Sequence, residues 1–266
     1  MLTYSEIDPI AISLGPVAVR WYGLMYVIGI LGGWWLGRVQ ARRPFSPLNE
    51  QQVDDLVTWV ALGVILGGRI GSVLFYNFGE FIERPLMLFE IWNGGMSFHG
   101  GMLGVSFAIW IYGRRIGVPF WDMNDFIAPV IAVGLGTGRI GNFINGELWG
   151  KPTDVAWGFV VNGVGRHASQ LYEAFLEGFV LFVVVWVFAA KPRPRMAITG
   201  LWLALYGTFR FAVEFVRLPD AHIGYMAWGW LTRGQLLSTP MILGGILLII
   251  LAYRHPAFAT GTGNKD

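Results

Sequence analysis

Long apolar runs alternate with short polar connectors along nearly the whole chain. A run of about 17 to 25 apolar residues is long enough to cross the hydrocarbon core of a bilayer as an α-helix. Such runs predict membrane-spanning helices at residues 17–37, 54–76, 96–113, 123–146, 168–190, 197–216 and 235–253. The pattern therefore predicts an all-α integral membrane protein, a bundle of about seven transmembrane helices.

The longest polar connector, residues 147–167, separates the fourth predicted span from the fifth. It contains the strand-like stretch VAWGFVV. We expect this connector to form a small extracytoplasmic lobe, inserted into a single polytopic membrane domain that covers residues 1–266.

The orientation follows from lysine and arginine, which accumulate in cytoplasmic loops. One set of alternate loops carries ten of them: Arg38, Arg42, Arg43, Arg114, Arg115, Lys191, Arg193, Arg195, Arg254 and Lys265. The opposite set carries six over a greater total length: Arg20, Arg84, Lys151, Arg166, Arg217 and Arg233. This bias predicts an N-terminus outside the membrane and a C-terminus in the cytoplasm.

Composition supports lipid as the solvent for most of the chain. Hydrophobic residues make up 55%, charged residues 14%, and the mean hydropathy is +0.54, which excludes an ordinary soluble domain. No cysteine is present, so the chain has no disulfide, thiolate metal site or cysteine nucleophile of its own. The basic residues form no stripe interleaved with aromatics, so we expect no nucleic-acid partner. Glu6 and Asp8 argue against a cleavable signal peptide, and the first span would serve as its own insertion signal.

Three arginines, Arg69, Arg139 and Arg210, fall inside predicted spans. Each costs roughly 3 kcal/mol at a helix centre on insertion scales, so such residues need a reason to be there. One explanation is structural: the side chain reaches the interface or pairs with a carboxylate. Glu214 lies at i+4 from Arg210 and Asn142 at i+3 from Arg139, so each pair shares a helix face.

These polar residues are predicted to share one depth. Spans two, four and six run outward and carry their arginines in the outer half, whereas spans one, three and five begin at the outer end. The residues contributed at this depth include Tyr22, His99, Ser169, Gln170, Tyr172 and Glu173. Arginine binds phosphate through parallel charge-assisted hydrogen bonds, so the pattern predicts a site for an anionic lipid phosphate near the outer leaflet.

His99 lies in the glycine-rich stretch GGMSFHGGMLG. Glycines at 94, 95, 100 and 101 fit either close helix packing or a substrate that passes nearby, and the imidazole itself fits either catalysis or a hydrogen-bonded packing role. The histidines at 99, 167, 222 and 255 show no metal-ligand spacing. We therefore expect neither a metal site nor a cofactor.

Eight stretches resemble the prolipoprotein diacylglyceryl transferase family of bacteria. They are WYGLMY (21–26), GGRIGSVLFYNF (67–78), GGMSFHGG (94–101), DFIAP (125–129), GRIGNFINGELWG (138–150), RHASQLYE (166–173), YGTFRFAVEFVRLPD (206–220) and GQLLSTPM (234–241). The chain departs from the family pattern at Ala168, where the family usually has proline. This change should loosen the chain before the fifth span, but it removes no reactive group.

The resemblance implies an activity and its partners. Such an enzyme transfers the diacylglyceryl group of phosphatidylglycerol to the thiol of the lipobox cysteine in a prolipoprotein signal peptide. A thioether forms and glycerol phosphate leaves, in the first step of bacterial lipoprotein maturation. The implied location is the bacterial cytoplasmic (inner) membrane, with the active site toward the outer leaflet.

The resemblance also implies residue roles. His99 matches the candidate base for the substrate thiol, and Arg139 and Arg210 match the arginines that bind the phosphate. Asn142 and Glu147 match neighbours that orient Arg139 or bind the glycerol hydroxyls. Further substrate-binding candidates are Tyr22, Arg69, Tyr76, Gln170 and Glu214. The connectors at 147–167 and 217–234 border this cluster and are candidates for docking the signal peptide.

Two other functions fit parts of the pattern. Intramembrane arginines, and the echo of GGRIG (67–71) in GTGRIG (136–141), also occur in transporters of anions or lipids. A structural scaffold could use the polar cluster to join its helices. The predicted clustering of the polar residues toward one face of the membrane argues against a transporter, because transporter sites usually lie near the midplane.

Overall fold

The computed structural model describes residues 1–15, 17–90, 95–219 and 224–255, and most of them are helical. Helices occupy all seven predicted segments: α1 (Trp21–Ala41), α2 (Glu50–Tyr76), the short α3 (Phe78–Glu83), α4 (Phe98–Arg115), α5 (Phe120–Ile144), α6 (Ser169–Glu173) running on into α7 (Leu181–Phe188), α8 (Ala197–Val213) and α9 (Arg233–Arg254). A 3-10 turn, Pro85–Phe89, follows α3. Gly94, Asp220 and His222 of the sequence analysis lie outside the described residues.

Four of the described helices are long and apolar enough to cross a membrane: Glu50–Tyr76, Phe120–Ile144, Ser169–Phe188 and Arg233–Arg254. A shorter apolar helix spans Ala197–Val213. The expectation of a helical membrane protein is thereby confirmed, and the total of seven crossings stays a prediction.

Capping boxes set the starts of α2 and α9. The Asn49 side chain accepts the Gln52 backbone N–H, and Gln52 accepts the Asn49 N–H, at 2.8 and 2.9 Å. Thr232 and Gln235 repeat this exchange before α9. The helices therefore begin at Glu50 and Arg233, before the predicted starts at 54 and 235.

The chain divides into two compact units, Met1–Leu36 with Asn124–Asp266 and Gly37–Met123. The single polytopic domain stays a prediction. In the first unit β1 (Leu2–Thr3) pairs in parallel with β4 (Phe159–Val161), which pairs antiparallel with β5 (Val164–Arg166). The strand character predicted in the 147–167 connector is thus present in its second half.

A second hairpin joins β2 (Ile10–Leu14) to β3 (Val17–Arg20), with Ile12 opposite Val19 and Ser13 opposite Ala18. The first span was predicted to begin at 17, but residues 17–20 are extended and α1 begins at Trp21. Alternating residues such as Val17-Ala18-Val19-Arg20 satisfy a strand as well as a helix start, which explains the wrong boundary.

Close helix contacts in the first unit depend on glycine. A Cβ on Gly136 of α5 would lie 3.0 Å from the Cα of Gly178, in the π-helical stretch Ala174–Val180 that links α6 to α7. Below this crossing, Ala132, Leu181 and Val185 form a fully buried core against aromatic residues of α8. The C-terminal turns of α5 and α8 and the helix α6 come within side-chain reach of one another, as the contacts of Arg139 and Arg210 with Glu173 show.

In the second unit α2 packs on α4 through glycines. A Cβ on Gly71 would lie 2.6 Å from the Gly100 Cα, and one on Gly63 would lie 2.7 Å from the Gly104 carbonyl oxygen. Gly100, which flanks His99, therefore serves close helix packing.

Candidate active site

Glu173, at the end of α6, is the centre of the polar cluster in the first unit. Its side chain is fully buried, and three arginines bind it. Arg139 Nε lies 3.1 Å from Oε2, whereas Nη1 of Arg210 and Nη1 of Arg217 lie 2.8 and 2.7 Å from Oε1. A buried carboxylate of this kind is stable only when cations compensate it, and here three do so.

Glu214 provides a second carboxylate for the same arginines. Its Oε1 lies 2.5 Å from Nη2 of Arg210 and 3.2 Å from Nε of Arg217. The Thr232 hydroxyl donates to Oε2 at 2.6 Å, which ties the start of α9 to the cluster. A Cβ on Gly234 would meet the Glu214 carboxyl, so glycine leaves the space that this carboxylate occupies.

The spacing of three residues around the end of α8 explains why they share the cluster. Arg210, Glu214 and Arg217 are separated by four and three residues, which places them on one face where α8 ends. Arg139 comes from the last turns of α5, one turn beyond the Gly136–Gly178 contact. Glu173 stands between these two helices.

Arg139 differs from the other two arginines in its carboxylate contacts and in its exposure. Its nearest carboxylate contact is with Glu173, through Nε, and 23% of its side chain is exposed. Arg210 and Arg217 each contact both Glu173 and Glu214, and their side chains are 17% and 14% exposed. Arg139 is therefore the most exposed arginine of the three, and a guanidinium can bind phosphate in the bidentate mode.

Two further buried side chains border Glu173. Gln170 and Glu177 are fully buried, one on each side of it along the same helix. Neither side chain has a hydrogen-bond partner among the described residues. Unpaired buried polar atoms are rare in native proteins and mark this helix as unusual, as does its π-helical stretch.

The loop after α5 forms its own hydrogen-bonded turn. Asn142 Nδ2 and Asn145 Nδ2 donate to the two carboxylate oxygens of Glu147, at 3.2 and 3.1 Å. Glu147 is thus held by these amides, while Arg139 binds Glu173. Asn142 and Glu147 lie in the same unit as the arginines and remain candidates for the glycerol hydroxyls.

Tyr22 lies in the first turn of α1 and packs on α5. A Cβ on Gly141 would lie 2.9 Å from Cδ2 of Tyr22, and the Tyr22 and Tyr26 hydroxyls are 3.2 Å apart. Tyr22 therefore reaches the part of α5 between Arg139 and Asn142.

The segment before α6 fixes the helix start to the loop after α5. The Ser169 hydroxyl donates to the Leu148 carbonyl at 2.7 Å, and His167 Nδ1 lies 3.2 Å from the Tyr172 hydroxyl. Burial lowers the pKa of His167 from its ordinary value, because desolvation disfavours the imidazolium. The neutral form of this histidine is therefore favoured.

The second unit holds Arg69, His99 and Tyr76. Arg69 is buried, with 6% exposed, and donates to the backbone carbonyls of Met87, Leu88 and Gly95. His99 is exposed in the first turn of α4, which Ser97 caps by accepting the Gly100 N–H at 3.2 Å. Tyr76 is the last residue of α2 and is 68% exposed.

Sequence reasoning grouped Glu173 with the polar residues of the other spans but did not name it as a site residue. It counted Arg217 among the loop residues, and Arg217 does lie beyond the end of α8 at Val213, but it did not connect this arginine with the site. The signal for both was present. Glu173 follows Gln170 by three residues, and RFAVEFVR carries Arg210, Glu214 and Arg217 at helical spacing. Among the described residues, no group of three or more His, Asp or Glu side chains is arranged to hold a metal ion.

The fold and this cluster define a class: a helical membrane protein with a buried arginine–carboxylate network. A model of the family described as prolipoprotein diacylglyceryl transferase matches residues 9–251. The chain belongs to this family.

Curated relatives agree over almost their whole length. A protein of Pseudomonas paraeruginosa is 56% identical over 260 residues, 97% of this chain and 98% of the relative. A protein of Nitratidesulfovibrio vulgaris is 57% identical over 252 residues, which cover 94% of this chain and 96% of the relative. A protein of Oleidesulfovibrio alaskensis is 55% identical over 258 residues, which cover 96% of this chain and 97% of the relative. Each bears the name phosphatidylglycerol–prolipoprotein diacylglyceryl transferase. The resemblance found in the sequence motifs is confirmed.

Proposed function

We propose that this chain transfers the diacylglyceryl group of phosphatidylglycerol to the thiol of a prolipoprotein lipobox cysteine. The products are a thioether and glycerol phosphate. Family membership and the relatives' names support the activity. The observation that carries the assignment of the site is the convergence of Arg139, Arg210 and Arg217 on Glu173.

Arg139 and Arg210 hold the lipid phosphate in this proposal. The Nη groups of Arg139 bind two phosphate oxygens, and Arg210, fixed by Glu173 and Glu214, adds positive charge beside it. The thiolate attacks the glyceryl carbon bonded to the phosphate oxygen, the S–C bond forms and the C–O bond breaks. The phosphate changes from a singly charged diester to a monoester that tends toward two charges, so the arginines bind the transition state more tightly than the substrate.

Glu173 is a positioning residue in this mechanism. It engages Nε of Arg139 and so leaves the outer edge of that guanidinium for the phosphate. A guanidinium held on one side by a buried carboxylate needs little reorganisation when the anion binds, and pre-organised charge is the main source of electrostatic catalysis.

A base accelerates the reaction because a free thiol, with a pKa of about 8.5, is only partly ionised at neutral pH. His99 is the proposed base, and its exposure in the first turn of α4 gives it access to a substrate. Tyr22, Tyr76, Gln170 and Glu214 complete the proposed substrate-binding set. Arg69 also belongs to this set, and its hydrogen bonds to Leu88 and Gly95 support a further role in positioning the segment between α3 and α4.

The same proposal includes the topology. All seven helical segments cross the bacterial cytoplasmic membrane, with the N-terminus outside and the C-terminus inside. The cluster then lies toward the outer leaflet, and the β4–β5 hairpin belongs to an extracytoplasmic lobe. Exported signal peptides and phosphatidylglycerol meet at this side of the membrane.

One assay tests the activity directly. The purified full-length protein in nanodiscs is incubated with a lipobox peptide, with phosphatidylglycerol present or replaced by phosphatidylcholine. Mass spectrometry is expected to show a diacylglyceryl adduct on cysteine, and phosphorus NMR an equal amount of glycerol phosphate, only with phosphatidylglycerol. A peptide with serine in place of cysteine is the control. No adduct under any condition would overturn the proposal.

A further inference from the structure

A cleft of about 490 Å³ opens beside the arginine cluster, within the first unit. Its walls are the turn after α5 at Gly146, Leu148 and Trp149, the tip of the β4–β5 hairpin, Arg166, and residues 217–219. The volume lies within the range of about 300–1,000 Å³ that is typical of small-molecule sites.

The cleft wall carries positive charge. Arg166 and Arg217 line it, and its described lining includes no carboxylate. Arg166 donates by Nη1 to the Gly150 carbonyl at 3.3 Å, and its other nitrogens have no hydrogen-bond partner among the described residues. Asn162, at the exposed hairpin tip, adds an amide. Guanidinium groups form strong charge-assisted hydrogen bonds to phosphate oxygens, so this lining suits a small phosphate monoester.

Gly150 and Lys151 connect the segment that carries Arg166 to the segment that carries Arg217 and fix the spacing between them. The Gly150 N–H donates to the His167 carbonyl at 2.8 Å, and the Lys151 N–H donates to the Val216 carbonyl at 2.8 Å. Gly150 leaves no room for a side chain, since a Cβ would lie 2.9 Å from that of His167. The backbone therefore holds Arg166 and Arg217 on opposite sides of one strand-like segment.

Arg217 connects the cleft to the proposed reaction centre. Its Nη1 binds the same carboxylate oxygen of Glu173 as Arg210, and Arg139 binds the other oxygen. Arg217 therefore shares the Glu173 carboxylate with Arg139 and Arg210 and also lines the open cleft. An anion released at Arg139 and Arg210 would find this third arginine close by.

We propose that this cleft binds glycerol phosphate after the carbon–oxygen bond has broken, as a product site separate from the lipid phosphate site. The inference rests on the proposed function, which supplies this product. A phosphate monoester is water-soluble and more highly charged than the lipid it came from, so it gains more from the two arginines than the singly charged headgroup does. The headgroup also remains tied to its acyl chains in the bilayer.

The test uses the full-length protein in phosphatidylcholine nanodiscs, titrated calorimetrically with glycerol phosphate and separately with inorganic phosphate. Arg166→Gln is expected to raise the dissociation constant of glycerol phosphate at least about tenfold. Arg166→Lys should restore most of the affinity, although both variants lose the bond to Gly150. Asn162→Asp, an isosteric change at an exposed tip, should also weaken binding because it adds a negative charge.

Equal affinities for Arg166→Gln and Arg166→Lys would overturn the proposal, because charge would then play no part. Steady-state transfer distinguishes the product from the lipid headgroup. Added glycerol phosphate inhibits the wild type, and Arg166→Gln should raise the inhibition constant at least about fivefold more than it raises the KM for phosphatidylglycerol. Equal increases in both constants would mean that the cleft holds the lipid headgroup, which contradicts the proposal. A wild type that shows no transfer would instead count against the proposed function.

Discussion

Arg69 and the arginine cluster around Glu173 differ in the partners that the described residues provide. Arg69 donates to three backbone carbonyls, all neutral, from the segment between α3 and α4. Arg139, Arg210 and Arg217 instead bind the carboxylates Glu173 and Glu214. Carbonyl partners fix a loop, whereas carboxylate partners hold guanidinium groups in place and leave donors for another anion. In the proposed mechanism the kind of partner, and not burial alone, distinguishes Arg69 from the arginines that bind the phosphate.

The largest expected effect is the loss of transfer in Arg139→Ala and Arg210→Ala. Removal of one group that stabilises developing charge typically lowers the rate about 10²–10³-fold, so each variant should fall at least that far in kcat/KM. The assay is transfer to a lipobox peptide in nanodiscs, with circular dichroism to confirm an unchanged helix content. Arg254→Ala, at the exposed end of α9, is the matched control. Near-normal rates in Arg139→Ala and Arg210→Ala would mean that these arginines, like Arg69 in this account, have a structural role only.

Glu173→Gln tests whether one carboxylate holds the cluster together. The variant keeps the side-chain shape but leaves three arginines without their shared anion, and breaking a buried ion pair costs about 3–5 kcal/mol. We expect a clearly lower unfolding temperature in detergent and a fall in transfer. Glu80→Gln is the control, because Glu80 is exposed and its ion pair with Arg84 is exposed as well. An unfolding temperature equal to that of the control would contradict the account.

Arg69→Gln is expected to act mainly on stability. Up to three carbonyls lose a donor, and leaving a buried polar group unpaired costs about 1–3 kcal/mol. The unfolding temperature should fall, while transfer per folded molecule should fall far less than in Arg139→Ala. A larger fall in transfer than in Arg139→Ala, measured after correction for the folded fraction, would remove the distinction between the two groups.

His99→Ala tests the proposed base by its pH profile. At low pH the substrate thiol is least ionised, so loss of a base should slow transfer most there and progressively less as the pH rises toward about 8.5. The measurement is single-turnover transfer from pH 6 to pH 9, with His255→Ala as the control. A loss that does not vary with pH would mean that His99 has a structural role.

The smallest effect is expected from His167, at the border of the cluster. Its pKa is lowered by burial from the ordinary value of 6.5, so the unfolded state binds more protons than the folded state as the pH falls below that value. The stability of the protein should therefore decline with acid in this range, and His167→Gln should decline less. Unfolding temperatures at pH 5 and pH 8 measure the difference, and identical pH dependence in both proteins would be the contrary result.

Much of the helical architecture could be predicted from the sequence, because the lengths of apolar runs and the helical spacing of side chains are local properties. The seven helical segments follow from hydropathy, and the pairing of Arg210 with Glu214 follows from their i,i+4 spacing. Boundaries were less accurate where a capping box or a short strand set the start, as at Glu50 and Trp21.

The choice of partner for each arginine could not be predicted. Arg69 binds carbonyls 18 to 26 residues away, and backbone carbonyls have no signature in the sequence. Glu173 lies 34 residues from Arg139 and 37 from Arg210 in the chain, so only helix packing could show that both reach it. Long-range convergence of this kind depends on contacts such as Gly136 on Gly178.

The most direct measurement is the division of the Arg139→Lys effect between kcat and KM for phosphatidylglycerol. Lysine keeps one charge but loses the bidentate edge. If Arg139 binds a phosphate whose charge grows as the bond breaks, kcat should fall at least about tenfold while KM changes little. A raised KM with unchanged kcat would show that Arg139 binds substrate and transition state equally, and would contradict the account.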